Sequence, residues 1–118
     1  MDEENLQLLS RALAEYDSFS LVWRDELVFS ELAKKFEEEL SPFLISKIKT
    51  DRWPGTQIED KKAILRTYSV TQESILVLEK LESVFDYIAP NYPEDIAFYK
   101  NGDVMYESMA HEKQAWYV

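Results

Sequence analysis

Asn101–Gly102 stands between two short alternating runs, Ile96–Lys100 and Val104–Ser108. Both residues tolerate the positive φ that two-residue hairpin turns require, so the dipeptide folds the runs back on each other as antiparallel strands. A further strand from about Gln114 to Val118 extends the hairpin to a three-strand meander. Just upstream, Ala89–Pro90–Asn91–Tyr92–Pro93–Glu94–Asp95 reads as a rigid connector, its two prolines lowering the entropy of the unfolded chain.

The rest of the chain alternates between helical and extended patterns. The first helix is expected to start after Asp2–Asn5, where acids favour the positive end of the helix dipole, and Leu6, Leu9, Leu13 and Tyr16 follow at spacings of three and four, with Leu8 and Ala12 alongside. Residues 19–29 read best as a hairpin turning at Arg24–Asp25–Glu26, with a helix over Leu21–Phe29 as the competitor. Ser30 caps a second helix bearing Leu32, Phe36 and Leu40. Ser41–Pro42 then opens a third helix to about Thr50, carrying Phe43, Leu44, Ile45 and Ile48. Arg52–Thr56 is loop, and Ala63–Val70 alternates as a strand. Thr71 caps one long helix whose buried stripe is Ile75, Leu78, Leu81, Phe85 and Ile88. The order predicts an α+β fold: N-terminal helices and one long helix packed on a small antiparallel sheet that ends in a C-terminal meander. The 118 residues suit a single domain, residues 1–44 being a mainly helical extension of a core over 45–118.

Composition excludes several kinds of chemistry. With no cysteine there is no disulfide, thiol nucleophile, cysteine-based zinc site or iron–sulfur cluster, and one histidine removes every mechanism that needs two. Two glycines are too few for a glycine-rich phosphate loop. We therefore expect no cofactor and no metal. The net charge of −10 is shared by both halves, residues 1–60 holding 14 acids against 7 bases and residues 61–118 holding 9 against 6. Such a chain repels phosphate backbones and anionic lipid, and steers a basic protein toward itself. The opening Met1–Asp2–Glu3–Glu4 has the wrong sign for a signal peptide, and apolar runs of four to five residues are too short for a membrane span. The expectation is a cytoplasmic protein.

Several short motifs recur in order: Trp53–Pro54–Gly55–Thr56, Tyr68 ahead of a helix, Phe85–Asp86, Pro90, Pro93–Glu94–Asp95 with Ile96 and Phe98, and His111–Glu112. Over residues 45–118 this series resembles a small bacterial domain whose members often bear a stage III sporulation protein AH label. The resemblance implies a small α+β fold and brings no catalytic residues with it. Relatives often place a Trp near position 87 and another in the hairpin, where this chain has Tyr87 and Met105 or Tyr106.

Four features stand out as candidate sites, the first being the Trp53 loop, whose ring either closes a core and bonds through its N–H, the favoured reading, or anchors a partner. His111–Glu112 has the composition of a proton-transfer pair, yet neighbours on a strand point to opposite faces, so a bond from His111 to backbone or to a carboxylate near a turn is the expectation. Glu94, Asp95, Asp103, Glu107 and Glu112 gather around the last hairpin; Asp95 is expected to accept backbone N–H bonds and Glu94 to be exposed. The Leu6/Leu9/Leu13/Tyr16 stripe, with Phe36 and Leu40, is either core or a homodimer seam. The leading expectation is a non-enzymatic protein that binds another protein, immunity-like in covering a basic toxin. Glu37, Glu38, Glu39, Glu94 and Asp95 would make charged contacts, and Trp53 and Tyr92 would be aromatic anchors. The alternatives are a small hydrolase or metal-dependent enzyme using His111 with Glu107 or Glu112, and a homodimeric structural domain.

Overall fold

Capping residues start each helix. In the computed structural model, which describes residues 1–25, 27–59 and 63–118, helix α1 spans Glu3–Glu15 and opens with the Asp2 carboxylate accepting the Asn5 N–H at 2.7 Å. Its buried face is Asn5, Leu8, Leu9 and Ala12, while Leu6 and Leu13 are exposed. The predicted stripe is thus rotated, because a helix lying on a sheet buries a broad face rather than a narrow seam. Helix α2, Glu31–Leu40, is capped by Ser30 and buries Ala33, Phe36 and Leu40, leaving the expected Leu32 in solvent.

Strand β1, Ser18–Arg24, replaces the expected hairpin. It pairs antiparallel with β5 (Ala63–Ser69) on one side and β6 (Glu94–Lys100) on the other. With both edges occupied by distant strands, nothing is left for Leu27–Phe29 to pair with; Phe29 packs its ring on Trp23 at 4.6 Å instead. Glu26 of the predicted turn lies outside the described residues. The helix expected after Pro42 is also absent. Pro42 opens a 3-10 turn over Ser41–Phe43, and β2, Leu44–Thr50, runs antiparallel to β5. Apolar residues at 44, 45 and 48 suit either period, and strand pairing decides between them.

Helix α3 is short, Gln72–Leu78, with Thr71 as its cap. The long helix is broken by a second capping signal inside it. Ser83 accepts the Phe85 N–H, and the Asp86 carboxylate accepts the N–H groups of Glu82 and Ser83, which starts a separate 3-10 turn at Val84–Asp86. Such local side-chain bonds compete with helix continuation. Of the predicted stripe, Ile75, Leu78 and Leu81 reach the core, where Val84 joins them, while Phe85 and Ile88 are half-buried.

The main sheet has six strands in the order β2-β5-β1-β6-β7-β8, all antiparallel, where β7 is Asp103–Met109 and β8 is Gln114–Tyr117. The C-terminal meander appears as expected, and the class is α+β. The first 44 residues are no appendage, since β1 lies in the middle of the sheet. One sheet face is covered by the helices over a core that includes Phe19, Leu21, Tyr68, Phe98, Tyr87 and Ile75. Alternation along β1 sends Ser20 and Val22 to the opposite, open face. There a two-stranded hairpin, β3 (Arg52–Trp53) and β4 (Thr56–Gln57), folds back so that Trp53 joins Val22 and Ala63 in a second, small core. Among the described residues no helix is long and apolar enough to cross a membrane.

Candidate functional site

The Pro-rich connector delivers two consecutive carboxylates to the start of β6, and both are buried. Asp95 adopts φ 55°, which turns its side chain inward beneath the β3–β4 hairpin. Its two oxygens accept the indole N–H of Trp53 and the backbone N–H of Ala110, each at 2.9 Å. The predicted backbone acceptor role of Asp95 is therefore present, and the N–H bond expected of a buried Trp53 goes to this same carboxylate, a partner the sequence did not name.

Glu94 departs from expectation. It is 1 % exposed, not at the surface. One carboxylate oxygen lies 2.7 Å from His111 Nε2 and the other 4.0 Å from Arg24 Nη1. Burial pushes the Glu94 carboxyl above its usual range; the His111 imidazole pulls it back and Asp95 pushes it further up. His111 comes from the 3-10 turn Ala110–Glu112 between β7 and β8, which Lys113 closes in the left-handed region at φ 51°. Its side chain is 53 % exposed. His111 thus meets a carboxylate near a turn, and that carboxylate is Glu94 rather than Glu107 or Glu112.

His111 also forms part of the wall of a cleft of about 290 Å³, with Thr56, Gln57, Asp95, Met109 and Glu112. Gly55 closes the same cleft. Its φ of +88° is one that L side chains rarely adopt, and a Cβ there would lie 3.3 Å from the Met109 side chain. Chemically, the site is a half-exposed imidazole oriented by a buried carboxylate, an arrangement able to hold or pass one proton. Among the described residues no group of three or more His, Cys, Asp or Glu is placed to hold a metal ion.

The other predicted contact residues are scattered. Glu37 is ion-paired with Arg66, and Glu39 with Lys80. Tyr92 is half-buried, edge-on to Phe36 at 5.2 Å between ring centres. Trp53, Glu94 and Asp95 are interior. Of the seven, Glu38 alone is exposed. The three helical segments, residues 2–15, 31–40 and 72–88, together carry twelve acids against four bases, a net −8 within a chain of net −10. Glu31, Glu38, Glu73 and Glu79 are exposed there. A cleft of about 330 Å³ beside this layer is lined by Lys80, Glu82, Asp86, Ile88, Pro90 and Tyr92 among others. The chain matches no protein-family model, no curated protein and no solved structure.

Proposed function

We propose that this protein works without catalysis, by binding a basic protein partner through its acidic helical layer. The observation that carries this reading is the segregation of charge: the helical segments hold twelve acids against four bases while Glu94 and Asp95 are turned inward. A field of one sign over one face raises the encounter rate with an oppositely charged partner. The contacts would come from the exposed acids Glu31, Glu38, Glu73 and Glu79 rather than from the cleft beside Tyr92, where Lys80 shares the wall, Glu82 pairs with the N-terminal ammonium and Asp86 accepts backbone N–H groups. An immunity-like role, in which this face covers the basic site of a toxin, is the most concrete form of the proposal. A cytoplasmic setting and the kinship with small bacterial domains suggested by the WPGT, PED and His–Glu motifs belong to the same reading.

The test is capture of partners from the native host by tagged wild-type protein and by the triple variant E38K/E73K/E79K, at low and high salt. These three side chains are exposed, so their substitution leaves folding within about 0.5 kcal/mol each. A stoichiometric basic protein held by the wild type, released by salt and lost by the variant is the expected result. Capture that neither salt nor the variant alters would overturn it.

A further inference from the structure

A segment of opposite character lies at the edge of the sheet. Strand β2, Leu44–Ile45–Ser46–Lys47–Ile48–Lys49–Thr50, contains two lysines and no acid in a chain of net charge −10. It is the outermost strand of the six-stranded sheet, paired with β5 on one side and with no strand beside it on the other among the described residues. Five of its seven residues are exposed, including Ile45 and Ile48. A seven-residue strand with a free edge offers a row of backbone N–H and C=O groups to an added strand.

The register says what the added strand must carry. Lys47 and Lys49 oppose Arg66 and Ile64 of β5, and Ile48 opposes Leu65. Successive residues alternate faces, so the two lysines point to the helical side and Ile48 to the open side. Arg66 is neutralised by Glu37 and Lys49 lies 3.2 Å from Asp25, whereas Lys47 makes no ion pair among the described residues. On the open side Leu65 is also part of the wall of a groove of about 660 Å³ with Trp53, Tyr99 and Val104. We infer that the free edge of β2 docks an extended segment of another protein in which two acidic residues flank one apolar residue. Its acids would sit beside Lys47 and Lys49, and its apolar side chain beside Ile48 at the border of the groove.

Charge selects this occupant over a second copy of the chain. Antiparallel pairing of β2 with itself sets lysines opposite or diagonal to lysines, and like charges across strands are destabilising. Lysines on an edge guard it against its own kind; the same lysines favour an acidic strand. At physiological salt the rest of the molecule's negative charge is screened beyond about 8 Å, while side chains in direct cross-strand contact are not.

The probe is the fluorescein-labelled peptide Thr-Glu-Val-Glu-Val-Thr, titrated with the full chain at physiological ionic strength. Saturable binding is expected, with slowed amide exchange confined to residues 44–50. K47E/K49E is expected to lower affinity about ten-fold or more, and to accept the peptide in which both Glu are replaced by Lys. Both lysines are solvent-exposed, and the exchange map on the wild type stands without any variant. Absence of saturable binding at millimolar peptide, or protection falling elsewhere, would overturn the inference. So would a dimer of the free protein with the β2 amides already protected, since a second copy would then occupy the edge. E38K/E73K/E79K leaves this binding intact, which separates its failure from that of the acidic layer.

Discussion

The two faces of the sheet are held by different physics. On the helical side, aromatic rings pack on one another: Phe19 lies 5.3 Å from Tyr68 and 5.8 Å from Phe98 between ring centres, all fully buried. On the open side the apolar core among the described residues is Val22, Trp53 and Ala63 with Ile58 and Leu65 beside it. What secures the β3–β4 hairpin there is a polar clamp, Asp95 joining the Trp53 indole to the Ala110 amide. A large dry core derives its stability from area and packing, summed over many weak contacts. A small one depends on a few hydrogen bonds whose loss strands a buried polar group. The difference implies that the helical face sets global stability, and that the hairpin on the open face opens before the rest of the molecule unfolds.

Three substitutions sharpen that contrast. Phe19→Ala empties the middle of the aromatic stack and is expected to cost about 3–5 kcal/mol in chemical denaturation, unfolding the protein as a whole. A loss below about 1 kcal/mol would show that the helical face is not the principal core. Asp95→Ala strands the Trp53 and Ala110 donors and is expected to cost about 2–3 kcal/mol. Trp53→Phe removes one donor and is expected to cost about 1–2 kcal/mol. The double substitution should then cost less than the sum, because the two residues share one bond; strict additivity would break the clamp reading. Amide exchange in residues 52–57 should accelerate in Asp95→Ala before it does in the helices.

The smallest effect concerns Glu94. The folded protein holds its proton more tightly than the unfolded chain does, so its contribution to stability is fully present below the ordinary carboxylate value near 4.5 and declines as pH rises through the elevated one. Glu94→Gln is expected to flatten the melting temperature against pH across that range. A wild-type profile that rises there while the variant's stays flat would mean that the contact with His111 outweighs burial.

The candidate site was only partly legible in the residues. A bond from His111 to a carboxylate near a turn follows from the residue types and the hairpin, and so does the acceptor role of Asp95. The identity of the carboxylate does not. Glu107 and Glu112 are nearer in sequence, but Glu94 reaches His111 because β6 and the turn after β7 are brought together. Trp53 read either as a core residue bonding through its N–H or as an anchor for a partner; the first holds, and the acceptor, Asp95, is 42 residues away. Such pairings depend on sequence separations that no local pattern encodes. The break in the long helix was legible in principle: Ser83 and Asp86 stand three apart, a capping-box spacing within an apolar stripe.

Local chemistry by itself determined the elements whose signals lie within a few residues. These are the helix starts at Ser30 and Thr71, the Asn101–Gly102 turn, the C-terminal meander, the α+β class and the strongly acidic balance. Tertiary structure decided the rest. It made residues 18–24 one central strand and residues 44–50 an edge strand, and it turned Glu94 inward. The physical reason is the same in each case. Short apolar runs are compatible with both periods, and a carboxylate with either burial or solvent; the choice falls to whichever distant strand or side chain satisfies the backbone and the charge once the sheet closes.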